Sequence, residues 1–431
     1  MNWQKDVKWR RSLEKVNDMR FRSLKLIWMV LLTLAITDAK AQELPGRDFR
    51  IRTITAGVNL NSLSDTLSIK HAIDFLKSSK QRYEENGYVV QTLRITTQDL
   101  YLLMSDSPDE QTLSDLIMID NLLLKNEVAL SVGQLVKGNR YKEDMADWVV
   151  KLVNHTENIS FNVSIASEEY GIHYNTIRTA AAICKALADN SVDGEANFRF
   201  TASANCPANI PFFPAATHQG DNRFAIGLEY PNLITRVFDN SDWMNAEENL
   251  RTELNREFLP IERIALYLES DTWHYDGIDT SPAPGLDASI GKAIEALTGV
   301  PFGNTSTLSA CAIITKVIKS LKVRSCGYSG LMLPVIEDPV LAKRAMEERY
   351  TVEELLLFSS VSGTGLDVVP LGGDISIETL ENTYLDVATL SLKYFNKALS
   401  ARLFPVPGKK PGDAVDFNNP HLTAATIMKL R

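Results

Sequence analysis

Cysteine is scarce in this chain: four residues among 431, at Cys184, Cys206, Cys311 and Cys326. No two of them are spaced as C-x-x-C, so the sequence shows neither a common zinc-site spacing nor a thioredoxin-like redox motif. So few cysteines in so long a chain also argue against a disulfide framework. A single bridge stays open, because spacing does not say which two residues would pair.

Basic residues are also fewer than acidic residues. The chain has 45 Lys and Arg against 54 Asp and Glu, which gives a net charge of −9 at pH 7. Binding to nucleic acid depends on clustered Lys and Arg that neutralise phosphates. We therefore expect no nucleic-acid partner.

Long apolar runs are also few, and the clearest one, Leu26–Ile36, lies near the N-terminus. It follows three basic residues and precedes the small-x-small sequence Ala39–Ala41, an arrangement typical of a secretory signal peptide. The run is short for a membrane span. We predict a signal peptide over Met19–Ala41, preceded by an N-terminal extension, and a periplasmic or secreted protein. A retained N-terminal membrane anchor is the alternative, and no later stretch is apolar enough to span.

The remaining sequence, residues 42–431, alternates between strand-like and helix-like patterns. Tyr88–Thr96 is rich in β-branched residues, whereas the stretch 107–127 starts with a capping signal and then carries apolar residues at helical spacing. Further helices are predicted over 288–297, 308–322 and 339–350. Such alternation favours an α/β fold with functional loops at the carboxyl ends of the strands. The hydrophobic content of 45% is sufficient for a single large domain.

Three short segments combine Gly, Pro, Asp and hydroxyl residues: Gly277–Ser289, Ser362–Asp374 and Pro405–Asp413. None has the Walker or the G-x-G-x-x-G pattern. The first precedes a helix, whose exposed amides could bind an anion; a rigid turn with Asp287 as N-cap explains the same residues. Three such segments in one chain predict loops that converge on one pocket.

Several long motifs resemble a known family. They are IRTITAGVNL, NCPANIPFFPAA, FAIGLEYPNLI, GIDTSPAPGLDASIGKAIEALTGVPFG, GYSGLMLPVIEDPVLA, GTGLDVVPLGGD and LSARLFPVPGKKPGD. From about residue 49 to 428 the chain resembles domain of unknown function 711, also called uncharacterised protein family 0210. The resemblance implies a large barrel-like α/β fold, with helices outside the strands, related to pyruvate formate-lyase and anaerobic ribonucleotide reductase. It implies no reaction and no cofactor.

Two features depart from that family. Val368 and Gly372 stand where Thr and Pro are expected, and most relatives look cytoplasmic, unlike a chain with a signal peptide. A cytoplasmic partner of the family, such as its small ACT-domain protein, is therefore not expected here. A homo-oligomer stays open.

The segment Val323–Leu331, VRSCGYSGL, resembles the loop that carries the glycine of glycyl-radical enzymes. Lys322 and Ser325 depart from that pattern, and about a hundred residues follow Gly327 where the radical loop should lie near the C-terminus. We predict instead a buried strand in which Gly327 is structural, because a neighbouring backbone passes close to it. A radical enzyme is kept as the weakest alternative.

Other candidate chemistry rests on single residues. Cys206 could act as a nucleophile with His218 as base, although a buried cysteine is more often inert. Asp279 and Asp367 could form an acid–base pair of carboxylates. The acidic stretch Glu269–Asp279 could hold a divalent cation, but a solvated loop explains it better, and we predict no metal site.

Arg402 is the strongest candidate for binding an anion, because its planar guanidinium suits a carboxylate or a phosphate. A structural salt bridge is the competing explanation. The full set of predicted ligand-binding residues is Thr280, Ser281, Asp287, Tyr328, Gly363, Gly365, Arg402, Lys409 and Asp413. Two main hypotheses follow: a non-radical protein or enzyme that binds a small anionic metabolite, and an exported binding or scaffold protein without catalysis.

The signal peptide leads to a direct prediction. Protein produced in its own host should begin at Gln42, because the residues before it match a signal-peptidase site. N-terminal sequencing measures this. An intact Met1 or Met19 on a cytoplasmic product would contradict it.

Overall fold

Helices and strands alternate along the computed structural model, which describes residues 48–430 apart from 106 and 394–396. The strands are β1 Arg50–Val58, β2 Val90–Thr97, β3 Val128–Gln134, β4 Ile159–Ser167, β5 Gly171–Ile172, β6 Phe200–Ala204, β7 Arg223–Glu229, β8 His274–Ala283, β9 Gly365–Gly372, β10 Leu399–Val406, β11 Ala414–Val415 and β12 Ala425–Thr426. The α-helices are α1 Thr66–Glu85, α2 Glu110–Leu124, α3 Met145–His155, α4 Tyr174–Asp189, α5 Pro231–Phe238, α6 Ala246–Leu268, α7 Ile290–Thr298, α8 Thr307–Ile318, α9 Pro339–Met346, α10 Val352–Ser359 and α11 Ile377–Lys393.

One large sheet organises these elements, in the order β8-β7-β1-β2-β3-β4-β6-β10-β9, and β5 is added beside β4. Most neighbours are parallel; β7 with β1, β6 with β10 and β4 with β5 are antiparallel. The predicted α/β class is therefore confirmed as a mixed fold with a mostly parallel sheet. Two of the predicted helices end early: the one over 308–322 ends at Ile318, and the one over 339–350 ends at Met346.

Residues 325–334, the bridging segment, touch both edges of this sheet. Isolated bridges join the segment to β8 at one end and to residues 363 and 367 at the other. The Cys326 amide donates to the Ile278 carbonyl (3.1 Å), and the Leu331 amide donates to the Ser362 carbonyl (3.2 Å). The two edges are thus connected through this segment. The sequence pattern predicted a buried strand here, and the structure has isolated bridges and no continuous strand over residues 325–334.

The sheet has chemically different faces. Helix α1 contacts β1 and β2, and in β1 the apolar Ile54 and Ala56 belong to the main core. Side chains alternate along a strand, so Thr55 faces the other way. There its Oγ1 donates to the carbonyl of Pro211 at 2.8 Å.

Pro211 lies in residues 205–218, the interior segment, which several strands hold through buried polar side chains. The Ser131 Oγ donates to the Ala216 carbonyl (2.7 Å), and the Asn162 Nδ2 donates to the Pro214 carbonyl (3.2 Å). Backbone carbonyls away from water need donors. The polar residues of the strands provide them and hold this chain segment against the sheet.

The predicted signal peptide, the predicted mature N-terminus and the predicted domain boundary at residue 42 lie outside the described residues. Within residues 48–430, the helices are all too short or too polar to cross a membrane.

A buried carboxylate joins the starts of two helices. Asp338 caps α9 by accepting from the amides of Val340 (2.9 Å) and Leu341 (3.1 Å). Its other oxygen accepts from the first amides of α7, at Ile290 (2.6 Å) and Gly291 (3.1 Å). The first amides of α7, which the sequence analysis considered as an anion site, therefore already donate to a side chain of the protein.

The N-cap of α7 also differs from the expected turn. Ser289, not Asp287, caps this helix, with its Oγ accepting from the Lys292 amide at 2.9 Å. Asp287 is exposed and pairs with Arg50. The reason is geometric, because the helix begins two residues later than the aspartate would require.

Removing the Asp338 carboxylate should destabilise the protein strongly. Asp338→Ala leaves helix-start amides of α7 and α9 without acceptors in a buried place, and we expect a loss of about 2–4 kcal/mol in the free energy of unfolding. Asp109→Ala is the matched control, because Asp109 caps only the exposed start of α2; its loss should be about 1 kcal/mol. Chemical denaturation measures both, and equal losses would contradict the double-cap interpretation.

Candidate functional site

A cavity of about 890 Å³ lies between the sheet, the interior segment and the bridging segment. Strands β2, β9 and β10 contribute Arg94, Asp367 and Arg402 to its lining, the bridging segment contributes Tyr328, and a segment near the C-terminus contributes His421. The volume is in the range of small-molecule sites. Three of these five lining residues, Asp367, Tyr328 and Arg402, were candidates from sequence.

Arg402 is buried and fully engaged by acidic side chains. Its Nε lies 2.5 Å from Asp367 Oδ1, and one terminal nitrogen lies 2.8 Å from Glu337 Oε2. Burial opposes the charge, but the two carboxylates outweigh it and raise the pKa of Arg402. The guanidinium also lies over the ring of Phe198, at 5.3 Å. The structure therefore contains the salt bridge that was the alternative explanation for Arg402.

Arg94 is a candidate residue that sequence reasoning missed. It is partly buried, lines the cavity and lies over the ring of Phe213 at 4.8 Å. Among the described residues it makes no ion pair and no side-chain hydrogen bond. Burial, followed by repulsion from Arg52 and Arg402, lowers the pKa of Arg94, and the attraction of Glu337 does not offset this. An arginine within the β-branched stretch Tyr88–Thr96 was the available signal.

The other arginines of the cavity have partners. Arg52 contacts Gln91 Oε1 (3.1 Å) and Glu229 Oε2 (3.4 Å). Arg199 donates to the carbonyls of Ile159 and Thr156, both at 2.5 Å. Of the four arginines that line the cavity, Arg94 is thus the one that has neither an ion pair nor a side-chain hydrogen bond in the described part of the chain.

Asp279 organises the bridging segment instead of facing the cavity. Its buried carboxylate accepts from the amides of Tyr328 (2.8 Å) and Ser329 (3.0 Å), and from the amide and hydroxyl of Ser281 (3.0 and 2.6 Å). Burial raises the pKa of Asp279, although these hydrogen bonds oppose the shift. Neighbouring Thr280 donates its hydroxyl to the Ile318 carbonyl at 3.0 Å. These three candidates have structural partners, and Asp279 lies outside the cavity lining that holds Asp367.

Gly327 packs against that same carboxylate. Its φ is 63°, and a Cβ built on it would lie 2.2 Å from Asp279 Oδ2. The sequence predicted a close neighbouring backbone at this glycine; the close neighbour is the Asp279 side chain. The conformation and the contact both require glycine.

Cys206 and His218 do not form the expected pair. The sulfur of Cys206 lies 3.3 Å from the Leu399 carbonyl and 3.8 Å from Tyr328 Oη, and burial raises the pKa of its thiol to about 12. His218 Nε2 lies 3.1 Å from the Gly220 carbonyl. No hydrogen bond joins the two within the described residues. Tyr328 itself donates to Ser400 Oγ at 2.9 Å.

The three predicted loops converge in part, and much of the first two is strand. Gly277–Ala283 belongs to β8 and Gly365–Gly372 to β9. Gly365 has a left-handed φ of 94°, and a Cβ there would lie 2.1 Å from the carbonyl oxygen of Ser400 on β10. Both features favour glycine at this position. Gly363 also has positive φ, at 122°.

The remaining candidates lie away from the cavity lining. The Lys409 Nζ donates to the Ala414 carbonyl (3.0 Å), and Asp413 accepts from the Lys410 amide (2.8 Å). Together with exposed Asp287, they belong to surface turns. Asp367 and Arg402 are candidates from different segments that the structure brings into direct contact, as are Asp279 and Tyr328.

The acidic stretch Glu269–Asp279 is held by arginines. Asp276 pairs with Arg223 at 2.9 Å, and Glu269 lies 3.7 Å from Arg324. No group of three or more His, Cys, Asp or Glu side chains that could hold a metal ion occurs among the residues described.

The glycine contact can be tested with two alanine variants. Gly327→Ala should lower the melting temperature well beyond Gly138→Ala, because Gly138 has nearly the same φ, 62°, but nothing within 4 Å of a built Cβ. The control loses about 1–2 kcal/mol from backbone conformation alone, while Gly327→Ala adds steric overlap with Asp279. Similar melting temperatures in thermal denaturation would contradict the role given to the Asp279 contact.

Comparison with known proteins identifies the family of this chain. A family model described as "Uncharacterised ACR (DUF711)" matches residues 44–418. A UPF0210 protein of Pyrobaculum aerophilum is 26% identical over 402 residues, which covers 86% of this chain and 88% of the relative. A UPF0210 protein of Methanopyrus kandleri is 27% identical over 289 residues, covering 64% and 63%. One of Bifidobacterium longum is 24% identical over 404 residues, covering 85% and 88%. The chain therefore belongs to the DUF711 family of uncharacterised proteins.

Proposed function

We propose that this protein binds a small anionic metabolite in the 890 Å³ cavity, with the Arg94 guanidinium as the partner of the anion. The observation that carries the proposal is the guanidinium of Arg94, which lies in a partly buried cavity without a carboxylate partner among the described residues. An uncompensated charge away from water is unfavourable. An anionic ligand relieves that penalty and gains a charge-assisted hydrogen bond.

The charges around Arg94 support this role. Arg402 already forms ion pairs with two carboxylates, Asp367 and Glu337, and Arg52 contacts Glu229. These ion pairs stay in place when an anion binds, so the ligand has no need to displace a carboxylate of the protein. Sequence analysis suggested Arg402 as the anion-binding residue. We assign that role to Arg94, while Arg402 stabilises the wall of the cavity through its ion pairs.

The contacts of the bridging segment favour binding without radical chemistry. Gly327 is explained by its contact with Asp279, and the Cys206 thiol by burial beside Leu399 and Tyr328. The proposal assigns no reaction. A scaffold without a ligand is the alternative that the binding experiment distinguishes.

The proposal includes a barrel-like architecture. The hydrogen bonds of the bridging segment to both edge strands support an arrangement in which this segment completes the sheet around the interior segment. That arrangement is what the resemblance to the glycyl-radical-enzyme barrel implies.

The proposal also places the protein outside the cytoplasm, in the periplasm or secreted. Its support is the basic, apolar and small-residue pattern over Met19–Ala41. The ligand would then be a metabolite available outside the cell membrane.

A thermal-shift assay tests the anion site. Among acetate, succinate, benzoate, inorganic phosphate and sulfate, at least one should raise the melting temperature of the wild type, and the shift should disappear in Arg94→Gln. Saturation at 100 times the dissociation constant stabilises the folded state by about 2.7 kcal/mol. The control is Arg178→Gln, because Arg178 also lies over an aromatic ring (Tyr141, 4.3 Å) but is exposed on α4.

Two results would contradict the proposal. A shift of equal size in Arg94→Gln would place anion binding elsewhere on the protein. No shift in the wild type with any of the five anions would favour the scaffold alternative.

A further inference from the structure

The cavity has an apolar wall that is separate from the main core. Residues of the interior segment, the end of β8 and the bridging segment form a second hydrophobic cluster: Ile210, Phe212, Ala215, Ala283, Tyr328 and Met332. All of them except Ile210 line the cavity. The main core is built between the sheet and the helices, whereas this cluster faces the opening between the interior and bridging segments. It therefore offers apolar surface to whatever occupies the cavity.

The charged part of the cavity contains one unpaired guanidinium. Arg402 lies against two carboxylates, Asp367 and Glu337, and Arg52 contacts Glu229, whereas Arg94 makes no ion pair and no side-chain hydrogen bond among the residues that the structure describes. One carboxylate is enough to pair with this guanidinium. A dianion would bring a second charge close to Glu337, whose field already acts on Arg94, and like charges at short range repel.

The second hydrophobic cluster and the unpaired Arg94 together specify the chemistry of the ligand. We infer that the cavity takes an amphipathic monocarboxylate, with its carboxylate on Arg94 and an apolar body against the second hydrophobic cluster. The inference rests on the anion binding proposed for Arg94 and adds the nature of the rest of the ligand. The cavity volume of about 890 Å³ is far larger than a bare inorganic anion needs.

A homologous series of fatty acids measures the apolar contribution. Acetate, butyrate, hexanoate and octanoate are titrated into the wild-type protein by calorimetry, with hexanol and inorganic phosphate for comparison. Each methylene placed against an apolar wall should tighten the dissociation constant about fourfold until the wall is covered. Hexanoate should bind more tightly than both hexanol, which lacks the charge, and phosphate, which lacks the apolar body.

Two variants test which residues bind the carboxylate and the apolar body of the ligand. Arg94→Gln should abolish the preference for hexanoate over hexanol, and Met332→Gln should weaken hexanoate several-fold while leaving acetate unchanged. The control is Met346→Gln, since Met346 is 52% exposed at the end of α9 and lies outside the cavity. If Met332→Gln fails to fold, the dependence on chain length in the wild type alone decides the question.

The outcomes separate this inference from the proposed function. If acetate and phosphate bind as tightly as octanoate, and all depend on Arg94, anion binding stands and the amphipathic ligand is wrong. If hexanol binds as well as hexanoate and Arg94→Gln changes nothing, the cavity is simply apolar and both ideas fail. If no probe binds, both fail as well.

Discussion

The structure depends on how the sheet holds a stretch of backbone against its polar face. Residues 205–218 carry carbonyl groups that lie away from water, and a buried carbonyl needs a donor. Thr55, Ser131 and Asn162, on three different strands, donate to them. Because these donors occupy alternate strand positions, the other face of the sheet is free to be apolar and to pack the helices.

The cavity is a consequence of that arrangement. The interior segment brings Phe212 and Phe213 to the sheet, and the bridging segment brings Tyr328 and Met332 from the opposite side. Asp279 fixes the bridging segment by accepting from two of its amides. The opening left between the two segments has an apolar part and a charged part, because β2, β9 and β10 contribute arginine and carboxylate side chains to it.

Charge pairing then decides which of those side chains can act on a ligand. Arg402 and Arg94 are both candidates by residue type, yet Asp367 and Glu337 engage the first and not the second. The Asp338 carboxylate shows the same effect at the start of α7, where it occupies amides that otherwise attract an anion. In both places anion binding was predicted from residue type or helix position alone. The prediction fails because a carboxylate that is distant in sequence lies close in space and already occupies the donors.

Local patterns in the sequence determined the class of fold, the family and several individual roles. Alternating strand and helix periodicity specifies an α/β protein, and the glycine in Val323–Leu331 lies where a side chain does not fit, as the sequence predicted. Periodicity and residue type depend on neighbours in the chain, so one sequence is sufficient to recognise them. The tertiary structure alone decided that Gly277–Ala283 and Gly365–Gly372 are strands and that Ser289 caps α7. It also decided that, among the described residues, Arg94 is the cavity arginine with neither an ion pair nor a side-chain hydrogen bond. Those outcomes depend on contacts such as Arg402 with Glu337, 65 residues apart, which no local pattern encodes.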